Sequence, residues 1–325
     1  MLIGSSSERP RALADLLGPD LCDRLDRLDL LSRRVFGGKL PGERRSKARG
    51  QSVEFDDYRE YTGGDDLRHI DWNVMARLDR VMVKLFREDK DLSLHLAIDT
   101  SPSMLAGEAR PGHGTHASPT KLVCSLRVAM ALAYLGLVNR NRVSVSTFGG
   151  ALSRLAPLRG RGGIARIADF LIEASAPVPS GGGRSGFFEA MRRLSTSGRG
   201  VLVVISDFLM DEDLRRGLNA ISGGSRRGRA FEATCLQVLA PGELDPASLP
   251  ELRGDVRLTD AESGQALDLT ISAPVARTFE RGLRDHVESI RALCAARGIG
   301  HLLVPCETDV AELMLSTLRR RGVIG

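Results

Sequence analysis

The sequence predicts an α/β protein, with a mostly parallel central sheet flanked by helices and preceded by a helical arm and a short charged segment. Three observations lead there. Leu92, Leu94, Leu96 and Ile98 alternate along the chain and stop at Asp99, as a strand does on reaching a loop. A second apolar run, residues 201–205, ends in the same way at Ser206 and Asp207. From residue 92 onward such runs alternate with stretches of helical spacing, the pattern of βα units.

Taken in order, residues 10–35 read as one helix. Leucines at 13, 16, 17, 21, 25, 28 and 31 form an apolar face among charges, and Gly37-Gly38 and Pro41-Gly42 end it. Residues 50–90 form a compact segment holding Gly63-Gly64, Trp72, Tyr58 and Tyr61, with a weak strand signal over 81–86. Strands are expected at 92–98, 142–148, 201–205, 232–239 and 300–304. Helices are expected at 120–138, 161–174, 186–196, 211–221, 274–297 and 308–321. A turn at Ser263-Gly264 suggests a hairpin around 255–271, and residues 104–119 and 176–186 are loops rich in Gly and Pro. The domain reading is an arm over 1–36, a signature segment over 37–91 and the main α/β domain over 92–325.

Composition narrows the function classes. The longest apolar stretch, Val128 to Val138, is too short to cross a bilayer, and no secretory signal is visible at the N-terminus. Cys22, Cys124, Cys235, Cys294 and Cys306 are scattered, with no CxxC pair, so a reducing, cytoplasmic setting is expected. Forty-six basic against 41 acidic residues give a formal net charge of +5. The excess gathers in residues 33–49, where Arg33, Arg34, Lys39, Arg44, Arg45, Lys47 and Arg49 face the single acid Glu43. Phe36 is the one aromatic among them, so stacking platforms are missing and nucleic acid is not an expected partner. A Walker A sequence and a GxGxxG turn are absent, and Ser206-Asp207 lacks the GxSxG context of a hydrolase elbow. His113 and His116 have an HxxH spacing but no supporting ligands for zinc.

The residues that carry chemistry open at Asp99. Pro102 breaks the chain just past the strand, which sets Asp99, Ser101 and Ser103 at the carboxyl edge of the sheet, where open α/β folds put ligands. One carboxylate and two hydroxyls at alternate positions are hard oxygen donors suited to Mg²⁺ or Mn²⁺. Two further donors fit the same edge: Asp207, at the end of the second apolar strand, and Ser185, at the end of the glycine-rich loop. The spacing Asp-x-Ser-x-Ser resembles the metal-ion-dependent adhesion site of von Willebrand factor A-like domains. In that pattern Asp207 matches the distal aspartate and Ser185 the coordinating threonine. Serine in place of threonine, and Gly186 where an aspartate is frequent, are departures from it. An aspartate followed by Ser and Pro is also an ordinary turn and helix-cap signal.

A longer resemblance covers residues 37 to 321. The stretch from Gly50 to Asp91 resembles the signature region of the DUF58 family, close to RGxGxEFxDxRxYxxGDDxRxIDWxxxAR. This chain has Arg49-Gly50, Glu54-Phe55, Asp57, Arg59, Tyr61, Gly64-Asp65-Asp66, Arg68, Ile70-Asp71-Trp72 and Ala76-Arg77. Arginines beside so many carboxylates suit a charge-paired structural network. The alternative is a docking surface, with Glu54, Arg59, Asp65, Asp66, Arg68, Asp71, Trp72 and Arg77 as its contacts. The resemblance implies a von Willebrand factor A-like fold and a partnership with a MoxR-type AAA+ ATPase in maturation or assembly of an unidentified client protein. The expected function is thus a non-enzymatic adaptor whose Mg²⁺ (or Mn²⁺) site recognises an acidic group. Two alternatives stand beside it: a metal-dependent hydrolase using Asp99 and Asp207, and a basic nucleic-acid or membrane-surface binder working through residues 33–49, marked by steep salt dependence.

Overall fold

The structure is a computed structural model that describes residues 9–32, 53–63, 67–88, 93–105, 119–149, 152–176, 186–197, 200–210, 212–222, 231–244, 254–259 and 266–318. In chain order these form α1 (Leu13–Leu16), α2 (Pro19–Ser32), β1 (Val53–Glu60), α3 (Trp72–Leu78), β2 (Met82–Glu88) and β3 (Ser93–Asp99). Next come α4 (Lys121–Val138), β4 (Arg142–Phe148), β5 (Ser153–Leu158), α5 (Ile164–Ala174), α6 (Phe187–Ser197), β6 (Gly200–Ser206) and α7 (Glu212–Ser222). The last are β7 (Phe231–Leu239), α8 (Pro241–Leu244), β8 (Gly254–Thr259), β9 (Ala266–Ile271), α9 (Ala273–Ala295), β10 (Gly300–Pro305) and α10 (Val310–Glu312), which continues as a π-helical turn over Leu313–Leu318.

The chain divides into two units, Met1–Arg33 with Leu92–Gly325, and Arg34–Asp91. The larger is built on a six-stranded sheet of order β10-β7-β6-β3-β4-β5. Its strands are parallel except β5, which pairs antiparallel with β4 at the edge. Sequence reading passed over β5, a six-residue exposed strand interrupted by Pro157, because an edge strand tolerates polar residues and proline. The expected helix over 10–35 is two helices. Pro19 has no amide hydrogen and favours an extended residue before it, so the chain breaks at Leu17 and Gly18 and restarts with proline in the first turn. Residues of the arm fall in the same unit as the sheet.

Alternation along the strands divides the core between the two faces of the sheet. Ala97, Leu202, Val204, Ala233 and Cys235 pack in one cluster with Phe187, Met191 and Leu194 of α6, Leu214, Leu218 and Ile221 of α7, and Ile290 and Cys294 of α9. On α4, Gly136 approaches Leu94 and Val143 so closely that an added Cβ would lie 3.2 Å from Leu94 and 2.7 Å from Val143. Among the described residues α4 alone is long and apolar enough to span a bilayer. It is 89% buried inside the fold, as a central core helix is. None of the five cysteines is in a disulfide.

In the smaller unit β1 and β2 form an antiparallel ribbon with a bulge between Phe55 and Asp57. The charge-rich sequence VEFDDYRE hides this strand from periodicity. The hairpin expected around 255–271 is present as β8 paired with β9.

Candidate functional site

Parallel pairing sets the ends of β3, β6 and β7 side by side, because Ile98 is in register with Ile205 and Ser206 with Gln237. Asp99 ends β3 with no exposed surface. Its Oδ1 accepts the Ser101 amide at 2.9 Å, an Asx turn that starts the loop. The Met104 amide bonds to the Ser101 carbonyl at 3.0 Å and closes a 3₁₀ turn over Pro102–Leu105. This turn brings the Ser101 and Ser103 hydroxyls within 2.9 Å of each other. On the far side, the Ser206 hydroxyl donates to Asp99 Oδ2 at 2.6 Å and accepts the Phe208 amide at 2.9 Å. Thr100 anchors the loop to β4, its amide and hydroxyl reaching the Phe148 carbonyl at 2.7 and 2.8 Å.

Gly149 makes the loop possible. Its φ of +100° lies in the region that disfavours side chains, and a Cβ there would collide with the Ser101 amide nitrogen and lie 2.7 Å from Asp99 Oδ1. Phe208 also has a positive φ, 54°, unusual for a bulky residue, and its side chain is fully buried. The strain sits immediately after Asp207.

Asp207 is buried as well, and both of its carboxylate oxygens are engaged. The Leu209 amide donates to Oδ1 at 3.1 Å, and the Lys121 ammonium donates to Oδ2 at 2.7 Å. Lys121, the first residue of α4, has no exposed surface, and it also donates to Glu243 Oε1 at 2.7 Å. Glu243 lies in α8 just past β7, where its other oxygen accepts the Ala240 amide at 2.9 Å. Gln237 Nε2 holds the Asp207 carbonyl at 3.1 Å. The corner thus holds two buried carboxylates and a buried ammonium, with the partly exposed carboxylate of Glu243 beside them.

Burial, and after it the negative charge of Asp207, raise the Asp99 carboxyl to about 7, although the bonds from Ser206 and Ser101 pull the other way. Burial alone would lower the pKa of Lys121. The charges of Asp207 and Glu243 outweigh it, so the ammonium is held above its ordinary range.

The Asp99 shift predicts a pH dependence in buffer free of divalent ions. Between the ordinary carboxyl value of 3.8 and about 7, the folded chain keeps a proton on Asp99 that the unfolded chain has released. The stabilisation is therefore fully present below pH 3.8 and is lost as pH rises through about 7. Urea unfolding from pH 5 to 8 is expected to show stability falling by up to about 1.4 kcal/mol per pH unit in the lower part of that range. Asp99→Asn should remove this slope. A slope that persists in the variant would assign it to another group.

Of the residues the sequence singles out, Asp99, Ser101 and Ser103 converge on one loop, with Asp207 beside them at the next strand end. Ser185, Asp65 and Asp66 lie outside the described residues, as do His113 and His116. Glu54 and Arg59 are on β1. Asp71 is buried, caps α3 by accepting the Asn73 and Val74 amides, and takes the Tyr58 hydroxyl at 2.8 Å. Its carboxylate therefore builds the fold of this unit. Arg68 and Arg77 are exposed, and Trp72 is 62% exposed. Lys121, Glu243 and Gly149 escaped sequence reading, as did the bond from Ser206 to Asp99. The signal for Lys121 was its place as one of only two charges, with Arg127, in an 18-residue apolar helix.

The donors are of the kind a small hard dication takes. Adjacent oxygens of an octahedral Mg²⁺ shell with bonds of ~2.0–2.1 Å stand about 2.9 Å apart, the separation of the Ser101 and Ser103 hydroxyls. Among the described residues no three His, Cys, Asp or Glu side chains gather as ligands, so such an ion would depend on these hydroxyls.

Comparison with known proteins follows the same stretch of chain. An uncharacterized protein of Mycobacterium tuberculosis is 28% identical over 316 residues, covering 95% of this chain and 93% of its own. Another, of Mycobacterium avium, is 30% identical over 151 residues, covering 46% of this chain and 83% of its own. The crystal structure of an aerotolerance-related membrane protein from Bacteroides fragilis superposes with a TM-score of 0.40 at 16% identity, over 71% of this chain and 98% of that one. The family model described as "Protein of unknown function DUF58" matches residues 57–289, so this α/β chain with its six-stranded sheet belongs to the DUF58 family.

Proposed function

We propose that this protein is a non-enzymatic, metal-dependent adaptor with a von Willebrand factor A-like fold, which presents Asp99, Ser101 and Ser103 to Mg²⁺ or Mn²⁺ and recognises an acidic group on a partner. The observation that carries the reading is the Asp99 loop, whose carboxylate and paired hydroxyls 2.9 Å apart stand at the end of a buried parallel strand. A bound dication would supply an electrophilic position for a partner's carboxylate. The chain's own residues hold the site. Ser206 and the Ser101 amide orient Asp99, Thr100 ties the loop to β4, and Gly149 leaves it room. Asp207, paired with Lys121 at the next strand end, is the second carboxylate of the proposed site, and Ser185, outside the described residues, is proposed as a further donor. The proposed collaborator is a MoxR-type AAA+ ATPase in the cytoplasm, which does work on a client complex while this chain makes the contact. The exposed Trp72, Arg68 and Arg77 of the smaller unit are the proposed docking residues.

The test is Mn²⁺ titration by calorimetry, followed by capture of the purified cognate ATPase with and without chelator. Loss of an outer-sphere partner costs a metal site roughly 10–100-fold in affinity. Asp99→Ala, which removes the carboxylate at the centre of the proposed site, is therefore expected to weaken Mn²⁺ by at least about 10–100-fold and to abolish metal-dependent capture. Mn²⁺ binding that is unchanged in Asp99→Ala would remove the metal from the reading, and capture indifferent to chelator would remove its role in recognition.

A further inference from the structure

Lys121 is the feature the adaptor reading does not use. A lysine side chain with no exposed surface is rare, because its ammonium must be repaid by ion pairs of good geometry. Here there are two, to Asp207 and Glu243, both at 2.7 Å. Local preference opposes the placement, since the first turn of a helix disfavours a cation and Lys121 opens α4. Its partners follow two neighbouring strands, Asp207 directly after β6 and Glu243 in α8 after β7. Asp207 is the carboxylate that the metal reading shares with Asp99, and its Oδ2 is already taken by the ammonium. Glu243 is 17% exposed and fixed independently by the Ala240 amide, so it can keep the lysine by itself.

We propose that Lys121 is a tethered cation that competes with the divalent ion for Asp207, and that Glu243 is the carboxylate onto which it withdraws. The inference rests on the metal reading of the Asp99 site. With Lys121 bridging both acids, Asp207 is neutralised and the site binds metal weakly. Once Lys121 is held by Glu243 alone, Asp207 faces the ion and the site is strong. Metal loading thereby moves a contact between α4 and the β6 loop, next to the Asp99 loop.

The experiment is Mn²⁺ titration of the full chain at low salt in four forms: wild type, Lys121→Met, Glu243→Gln and the double variant. Competition predicts opposite signs. Lys121→Met should bind Mn²⁺ on the order of tenfold tighter, and Glu243→Gln several-fold more weakly because Lys121 is then thrown wholly onto Asp207. It also predicts non-additivity, with Glu243→Gln having little effect once Lys121 is gone. Equal affinity of wild type and Lys121→Met, or weakening by both single changes, would overturn the competition while leaving the metal site standing. A Glu243→Gln effect of the same size in both backgrounds would also overturn it, as a through-space charge effect. If Lys121→Met does not fold, the decision passes to Glu243→Gln together with the double variant, whose charge loss is balanced. Weaker binding in the first and tighter binding in the second support the proposal, and any other pair of results counts against it. If none of the four binds Mn²⁺, the metal reading fails and takes the competition with it.

Discussion

Alanine at Gly149 is expected to destabilise the protein by about 2–4 kcal/mol and to cripple the Asp99 loop at the same time. The residue holds φ at +100°, and its Cβ would collide with the Ser101 amide and lie 2.8 Å from the Ser101 Cα. Those atoms are backbone, tied on one side by the Asp99 turn and on the other by Thr100 to Phe148, so they cannot rotate aside as a side-chain tip would. Relief requires moving the loop, and with it the hydroxyls of Ser101 and Ser103. Urea unfolding and Mn²⁺ titration together read the effect. Gly160 is the control: it also has a positive φ, 74°, but nothing lies within 4 Å of its would-be Cβ. Gly160→Ala should cost stability through the backbone alone and leave the metal site intact. A Gly149→Ala protein with wild-type stability and wild-type Mn²⁺ affinity would show that the loop is soft and the site not preorganised.

Phe187→Ala is expected to cost about 3–5 kcal/mol, the range for deleting a fully buried aromatic side chain. Phe187 has no exposed surface and meets Phe148 edge-on at 5.5 Å and Phe208 at 6.2 Å between ring centroids. Its ring also lies against Gly217 of α7, where any side chain would displace it. Phe148 ends β4 beside Asp99, and Phe208 follows Asp207, so the trio supports both strand-end loops from beneath. The cavity left by alanine should let Phe208 relax from its positive φ, and Mn²⁺ affinity should fall along with stability. Phe187→Leu, which fills more of the space, should recover part of both. Stability lost with affinity unchanged would mean that the aromatic cluster supports the fold but not the site.

Several parts of the molecule could be read from the chain. The strand through Leu94, Leu96 and Ile98, and its partner ending at Ser206, were legible because each combines an apolar run with an abrupt polar stop. The helices of the main unit were legible to within a residue or two at most ends, since their apolar faces repeat locally. The arm was misread as one helix because its leucines keep their spacing across Gly18 and Pro19 while the backbone does not. β1 was missed because five of its eight residues are charged, and β5 because it is short, exposed and carries a proline. The cysteines look dispersed in sequence, yet the thiols of Cys124 and Cys306 come close enough to shift each other's titration, as do those of Cys235 and Cys294.

By itself the sequence determined the α/β class, the family signature and the position of Asp99, Ser101 and Ser103 at a strand end. All of these follow from patterns a few residues long. Only the tertiary structure decided that Ser206 orients Asp99, that Gly149 leaves room for the loop, and that Lys121 is clamped between Asp207 and Glu243. Those partners lie 107, 86 and 122 positions apart in the respective bonds, Ser206 to Asp99, Lys121 to Asp207 and Lys121 to Glu243. They meet because the strand order sets β3, β6 and β7 side by side. A crossover sheet of this kind makes neighbours of residues that no local periodicity connects. The apolar helix around Lys121 marks it as unusual in the sequence, but its ion-pair partners become visible only when the strands are assembled.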